Sequence, residues 1–315
     1  MAVVPFPLAA LTGLDTLLNE PPEIVDWVVS DRIPAGSVNL LVAKPKVGKT
    51  TAARHLAVAV ATESMWLGSQ CAFGLVWYLA FEGRKEDHLA HFRQFDLEPA
   101  DAARLQCYFT APTPAFMKEL LARAKLERPA LIIVDTLQRL IRVKSMEDYA
   151  QVTLAFNPLI AIARETGAAL LLLHHAGKAA DREALDSVLG STAIAGSVDN
   201  TIVLAKRGGF RTVSTTQRVG PDLDECVLNL STTGRVSLGG SRMLAEQKLF
   251  GQKLLDALAN SPTPLLTHIE WLELVEGRKQ TKLHAIARLM AEGAVVRHGS
   301  GKRQDPYSYS LVTRS

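Results

Sequence analysis

The sequence predicts an α/β protein: a mostly parallel sheet flanked by helices, followed by a small unit of short helices with a terminal hairpin. Three observations predict it. Residues 38–51, VNLLVAKPKVGKTT, run from an apolar strand through a Lys- and Gly-containing loop into a helix. Further apolar runs at 75–81 (LVWYLAF), 130–134 and 168–173 alternate with segments of helical periodicity, the pattern of strands joined by crossover helices. Beyond residue 238 the pattern changes to short amphipathic helices and alternating strands. The expected divisions are an N-terminal arm, 1–36, a core, 37–238, and a small C-terminal domain, 239–315.

Composition narrows the classes. A chain of 315 residues has room for one large and one small domain. With 48% apolar and 21% charged residues it reads as a soluble globular protein, and its net charge of +3 is too small to identify a partner. Cys71, Cys107 and Cys226 are odd in number and fit neither a disulfide framework nor a zinc spacing, which suggests a reducing, cytoplasmic setting. The start lacks a basic region and carries Pro5 and Pro7, so it does not read as a signal peptide. The run at 168–173 is far too short to span a bilayer, so no membrane partner is expected.

The arm holds a short helix over 11–18, stopped by Pro21-Pro22, then an apolar segment at 24–29 and a turn at Ile33-Pro34-Ala35-Gly36. It can pack on a neighbouring subunit or on its own core. Next comes the strand at 38–42 and the loop Ala43-Lys44-Pro45-Lys46-Val47-Gly48-Lys49-Thr50, with Thr51 opening a helix. Strand, loop and helix start form an anion trap, because the first N–H groups of a helix lack partners and its dipole adds partial positive charge. Lys49 would reach the β- and γ-phosphates of ATP and the Thr50 hydroxyl would ligate Mg²⁺. The pattern asks for Gly at its first position, and this chain has Ala43.

The strand at 75–81 is followed at once by Glu82-Gly83-Arg84. A carboxylate at the carboxyl end of a strand lies where open α/β sheets bind ligands, and can polarise the attacking water. Arg84 reads as a phosphate contact or a surface ion pair. A helix over 85–95, a third strand at 105–109 and a helix over 116–126 lead to Ala130-Leu131-Ile132-Ile133-Val134-Asp135, an apolar strand ending in a carboxylate that would hold Mg²⁺ opposite Thr50. The cations after it, Arg139, Arg142 and Lys144, read as contacts with nucleic-acid phosphates or as a solvated charged edge.

A helix over 148–165, closed by Gly167, precedes the strand that ends in His174-His175. A polar tip there can touch the γ-phosphate; a histidine bonded within the core is the other reading. Adjacent residues of a strand face opposite ways, which argues against a metal pair. The loop beyond, 178–187, is polar and contains Lys178 and Arg182. A small-residue helix at 190–197, a strand at 200–205, a turn at 206–209 and a return strand at 210–216 bring the chain to Gln217-Arg218-Val219-Gly220-Pro221. Arg218 lies at the sheet margin, where a cation can be offered to a neighbour's γ-phosphate.

Gly234, Gly239-Gly240 and Ser241 suggest a hinge. Phe250, Leu254, Leu255 and Leu258 form one helical face, Thr267-His268-Ile269-Glu270 has capping-box spacing, and Leu283, Ile286, Leu289 and Met290 mark a third helix ended by Gly293. With hairpin strands at 295–297 and 307–311 this predicts a winged helix-turn-helix. Seven Lys or Arg against one acid lie between 278 and 303, including Arg278, Lys279, Lys282, Arg297, Lys302 and Arg303. Such clustering is an electrostatic footprint for a DNA backbone, the alternative being a protein-facing wing.

Taken together, the phosphate loop, Glu82, Asp135, His175 and Gln217–Pro221 resemble the RecA/DnaB superfamily of P-loop ATPases, and within it the RepA-like hexameric DNA helicases, over about residues 24–235. The resemblance implies a RecA-like core, a homo-oligomer, usually a hexamer, with ATP and Mg²⁺ at each interface, and single-stranded or duplex DNA as partner. It implies Glu82 as catalytic base, His175 as γ-phosphate sensor and Arg218 as an arginine finger acting in trans, with Lys206 or Arg207 as a second contributor. The loops after Asp135 and Lys178 would face a central channel. Two departures stand out: Ala43, and Thr216 where DnaB-type proteins often carry Lys. The leading expectation is a replicative helicase of a plasmid, phage or integrated element; an ATP-switched DNA-binding regulator and a filament former are the alternatives.

Overall fold

The computed structural model describes residues 11–21, 24–141, 143, 148–176 and 192–312. Its first elements are helix α1 (Leu14–Leu18), the hairpin β1 (Trp27–Val29) and β2 (Ile33–Pro34), strand β3 (Val38–Ala43) and helix α2 (Lys49–Ala61). A small hairpin, β4 (Met65–Trp66) and β5 (Ser69–Gln70), precedes β6 (Val76–Ala80), α3 (Lys85–Arg93), α4 (Pro99–Arg104), β7 (Leu105–Tyr108) and α5 (Phe116–Glu127). Then follow β8 (Leu131–Asp135), α6 (Leu137–Leu140), α7 (Tyr149–Thr166), β9 (Ala169–His175) and α8 (Thr192–Gly196). Four strands continue the chain: β10 (Asn200–Arg207), β11 (Phe210–Gln217), β12 (Leu223–Leu230) and β13 (Val236–Ser241).

A nine-stranded sheet, in the order β13-β12-β11-β10-β3-β9-β8-β6-β7, is the scaffold. From β10 to β7 neighbouring strands are parallel; β11, β12 and β13 add an antiparallel edge. Every residue of β3 is buried, because helices cover both faces. Leu41 and Ala43 pack with α2 on one side, Leu40 and Val42 with α7 on the other. Helix α2 is rich in alanine, and Ala52, Ala53, Ala57 and Ala61 are all fully buried, so its backbone lies close to the sheet. Helix α7 begins where the Asp148 carboxylate accepts from Gln151 N and stops at Gly167, whose φ of 75° suits glycine.

Of the two packings left open for the arm, its second half takes the one on its own core: Val29 and Ile33 are fully buried and Arg32 donates to Pro221 O at 2.9 Å. Helix α1, at the start of the described residues, has no buried residue. Strands β12 and β13 extend the sheet, β12 over a stretch to which the sequence assigned no element and β13 where it suggested a hinge. Gly239 and Gly240 lie within β13, and the sheet runs to Ser241 before the next helix begins.

The last unit comprises α9 (Arg242–Ala259), β14 (Leu266–Thr267), α10 (His268–Glu273), α11 (Lys279–Ala291), β15 (Val295–His298) and β16 (Ser308–Leu311). Its strands form an antiparallel sheet in the order β14-β16-β15. Strand β14 was not foreseen, being two residues long. The capping box at Thr267 and Glu270 is formed. Leu254, Trp271, Ala285 and Tyr309 fill the core, and Trp271 Nε1 donates to Leu254 O at 2.8 Å. Arg242 ties α9 to the sheet through Glu225 at 2.6 Å.

Candidate nucleotide site

The parallel strands place three loop ends at one edge of the sheet. Ala43, the last residue of β3, is fully buried, and its carbonyl accepts from Ala176 N at 3.0 Å. It pairs with His175 and Leu204 as an ordinary strand residue, which explains why Ala serves where the loop pattern asks for Gly. The left-handed positions come later in the loop, at Lys46 (φ 64°) and Gly48 (φ 117°). Gly48 caps α2, so Lys49, Thr50 and Thr51 lie in the first helical turn with its unpaired N–H groups.

Lys49 is 6% exposed, and its Nζ has no hydrogen-bond partner among the described residues. Burial pulls its pKa from 10.5 down to about 8, although Asp135 and Glu82 pull the other way. A buried, unpartnered ammonium near two carboxylates fits an anion that the protein must supply from outside. Asp135 ends β8 and is 2% exposed; its Oδ2 accepts from Tyr78 Oη at 3.0 Å. Burial, followed by the Asp135 charge, holds the Tyr78 pKa well above its usual value, so this phenol remains a donor. Thr136 Oγ1 beside it is buried without a partner among the described residues. One carboxylate and the Thr50 hydroxyl are the small oxygen set that Mg²⁺ takes from protein, the phosphates and waters completing it.

Glu82 follows β6 and is drawn to β8: Phe81 N and Glu82 N both donate to Asp135 O, at 2.6 and 3.2 Å. Its carboxylate lies 3.4 Å from His175 Nε2 and 3.9 Å from Arg139 Nε. His175 Nδ1 is buried without a partner among the described residues. The structure therefore brings together Lys49, Glu82, Asp135 and His175 around one edge. Arg84 pairs with Asp87 at 3.2 Å, the surface reading.

Arg218 is elsewhere. Its backbone N donates to Asp199 O at 3.0 Å, and Asp199 is bonded to Val38 at the opposite end of β3. Its guanidinium donates to Gly196 O at 3.1 Å and lies 3.8 Å from Asp199. Lys206 and Arg207 end β10 on the loop side, a whole strand away from Arg218, and Arg207 pairs with Glu225 at 3.6 Å. They do not belong beside Arg218 as second contributors.

Of the expected DNA contacts, Arg139 is exposed but faces Glu82. Arg142, Lys144, Lys178 and Arg182 lie outside the described residues. Arg278, Lys279, Lys302 and Arg303 are exposed, and Arg297 lies over the Tyr307 ring at 4.4 Å. Lys282 is a correction: it is 9% exposed and its Nζ donates to Leu272 O at 2.6 Å and Val275 O at 2.8 Å. It caps the open carbonyls where α10 ends, so its charge is spent inside the unit. Four residues of the site carried no motif, Arg54, Tyr78, His88 and Thr136; a polar side chain in an otherwise apolar strand was the one available signal, at Tyr78.

Residues 5–181 match the family described as an AAA domain, a span that takes in Lys49, Glu82, Asp135 and His175. The chain belongs to the AAA domain family. This AAA domain is thus a P-loop ATPase-type core, with the phosphate loop between β3 and α2. The crystal structure of the RadB recombinase superposes with a TM-score of 0.48 at 15% identity, covering 71% of this chain and 95% of that one. No curated protein sequence matches the chain. Among the described residues, no helix of the AAA domain or the C-terminal unit is long and apolar enough to cross a membrane.

Proposed function

We propose that this protein hydrolyses Mg²⁺-ATP between identical subunits of a RecA-like ring, usually of six, and uses the turnover to move on DNA as a replicative helicase. The supporting observation is a site that one chain leaves incomplete. Lys49, Asp135 and Glu82 converge at one edge of the sheet, while Arg218, which the resemblance makes the arginine finger, stands at the other. A neighbouring copy presenting its Arg218 edge to this loop edge supplies the missing charge.

Within that reading each side chain has a task. Lys49 and the first N–H groups of α2 cradle the β- and γ-phosphates. Thr50 and Asp135 would hold Mg²⁺, which neutralises phosphate charge. Glu82 orients the attacking water and takes its proton. His175, at the tip of β9, contacts the Glu82 carboxylate at 3.4 Å and leads toward Lys178 and Arg182, the residues proposed to touch DNA, so phosphate loss would be felt where the channel would be. Arg218 stabilises charge on the transferred group.

The C-terminal unit reads as a winged helix, with α11 and the β15–β16 hairpin as its DNA face. The exposed cations Arg278, Lys279, Arg297, Lys302 and Arg303 support that reading. Solution mass with and without ATP and DNA, measured beside ATPase stimulation by single strands and displacement of a forked duplex, tests the proposal. An ATP-dependent assembly that unwinds the fork is expected. A monomer hydrolysing at full rate would sink the shared site; assembly without unwinding would favour the switch or filament instead.

A further inference from the structure

Behind the two carboxylates lies a buried polar cluster that no motif assigns. His88 of α3 is 2% exposed and Arg54 of α2 is 7% exposed. The Arg54 guanidinium meets His88 Nδ1 at 3.2 Å, and His88 Nε2 meets Glu82 O at 2.9 Å. A guanidinium only donates and a carbonyl only accepts. His88 Nδ1 therefore accepts and Nε2 carries the hydrogen, which defines one neutral tautomer. A second ring proton would point N–H at N–H.

Three further observations place this ring in the machinery. Gly83 turns over it with φ +82°, and a Cβ there would lie 3.0 Å from His88 Nε2. Tyr78, whose hydroxyl holds Asp135, meets the His88 ring edge-on at 5.8 Å. Arg54 belongs to the helix that opens with Lys49, and its Nε has no partner among the described residues. Keeping a cation buried with, among the described residues, one bond to a neutral ring is costly, unlike filling the space with an apolar side chain.

We propose that His88, braced by Arg54, is a positioning residue for Glu82: it locks the backbone of the catalytic glutamate to the phosphate-loop helix. The inference rests on Glu82 being the group that orients water. Helix α2 carries both Lys49 and, through Arg54 and His88, the anchor of Glu82. The distance between the bound phosphate and the water-orienting carboxylate is then set by one rigid element. Loss of the anchor leaves the phosphates held but the carboxylate free to wander, and a displacement of about 1 Å can cost about 10²-fold in rate.

The test is a set of three variants of the full chain, His88→Leu, His88→Gln and Glu82→Gln, read by ATP turnover with single-stranded DNA and by binding of a fluorescent ADP analogue. Glutamine can accept from Arg54 through Oε1 and donate to Glu82 O through Nε2, so it keeps both bonds. The expected result is a fall of at least tenfold in kcat for His88→Leu with ADP affinity within about twofold of wild type, and recovery of most of the rate in His88→Gln. Wild-type kcat in His88→Leu, or equal losses of rate and affinity in both His88 variants, would overturn the brace while leaving Glu82 untouched. Wild-type turnover in Glu82→Gln would instead remove the base and the brace with it. If His88→Leu does not fold, ¹⁵N imidazole spectra of the wild-type chain at pH 7 decide. A neutral Nε2–H ring at His88 supports the proposal, and an imidazolium or an Nδ1–H ring overturns it.

Discussion

Lys49 and Arg218 stand at opposite ends of strand β3. Lys49 opens the helix that follows Ala43, and Arg218 is bonded through Asp199 to Val38. At about 3.3 Å per residue, the strand alone puts about 16 Å between them. No side-chain rotation closes that gap, so any joint action on one triphosphate takes two chains.

Arg218→Ala should bind ATP and lose turnover by about 10³-fold, the scale of a removed arginine finger. Doped into wild type, the variant should depress hydrolysis more steeply than dilution, because in the proposed shared site each chain would lend its arginine to another's. A strictly proportional loss in a titration of mixed proteins would contradict the shared seam.

Lys49→Met should abolish turnover yet make the nucleotide-free protein more stable, by the order of 1 kcal/mol, by removing a buried unpartnered cation. The sign with pH follows from its lowered pKa. The unfolded chain holds this proton up to 10.5 and the folded chain only to about 8, so wild-type stability from this group rises between those values. Bound phosphates restore the proton, so ATP binding near pH 8.5 should take protons up. Calorimetry in buffers of different ionisation enthalpy measures it, and proton release would refute it.

Glu82→Gln should bind ATP normally, assemble, and hydrolyse at least 10²-fold more slowly, since an amide cannot accept the water's proton. Retained hydrolysis in a single-turnover assay would take the base role from Glu82.

Lys282→Met should destabilise the C-terminal unit by about 1–3 kcal/mol, having left the Leu272 and Val275 carbonyls at the end of α10 unpaired, with little change in salt dependence of DNA binding. Lys302→Ala with Arg303→Ala should do the reverse, reducing the slope of log affinity against log salt by about 2 without moving the melting temperature. Binding titrations at several salt concentrations separate them; an unchanged slope in the double variant argues for a protein-facing wing.

His55 predicts an acid limb. Burial and then Arg235 lower its pKa to about 4, while its Nδ1 accepts from Val236 N at 3.1 Å. The unfolded chain takes this proton near 6.5 and the folded chain resists it to about 4, so stability falls as pH drops through that window. His55→Gln should flatten that limb in denaturant titrations.

What was legible in the sequence was whatever local chemistry dictates. A strand, a Gly-Lys-Thr loop and a helix are contiguous, so the phosphate trap could be read directly. The strand ends at Glu82 and Asp135 followed from apolar runs broken by a carboxylate. Strands β12 and β13 were missed because their alternation is polar and half-exposed, as suits an antiparallel edge, and the glycines of β13 imitate a hinge. Lys282 was misread because charge in a sequence does not say which way the side chain points.

The sequence by itself determined the strand–loop–helix from Val38 to Thr51, the strand ends at Glu82 and Asp135 and the change of pattern near residue 240. Only the tertiary structure decided that Ala43 sits in extended backbone, that Lys282 turns inward, and that Arg54 and His88 stand behind Glu82. The reason is one of range. Turns, caps and periodicity act between residues a few positions apart, whereas the settings of Ala43, Arg54 and Arg218 depend on residues tens of positions or more away that the assembled sheet brings near, and that of Lys282 on how the helices of its own unit pack, which turns the Leu272 and Val275 carbonyls toward it.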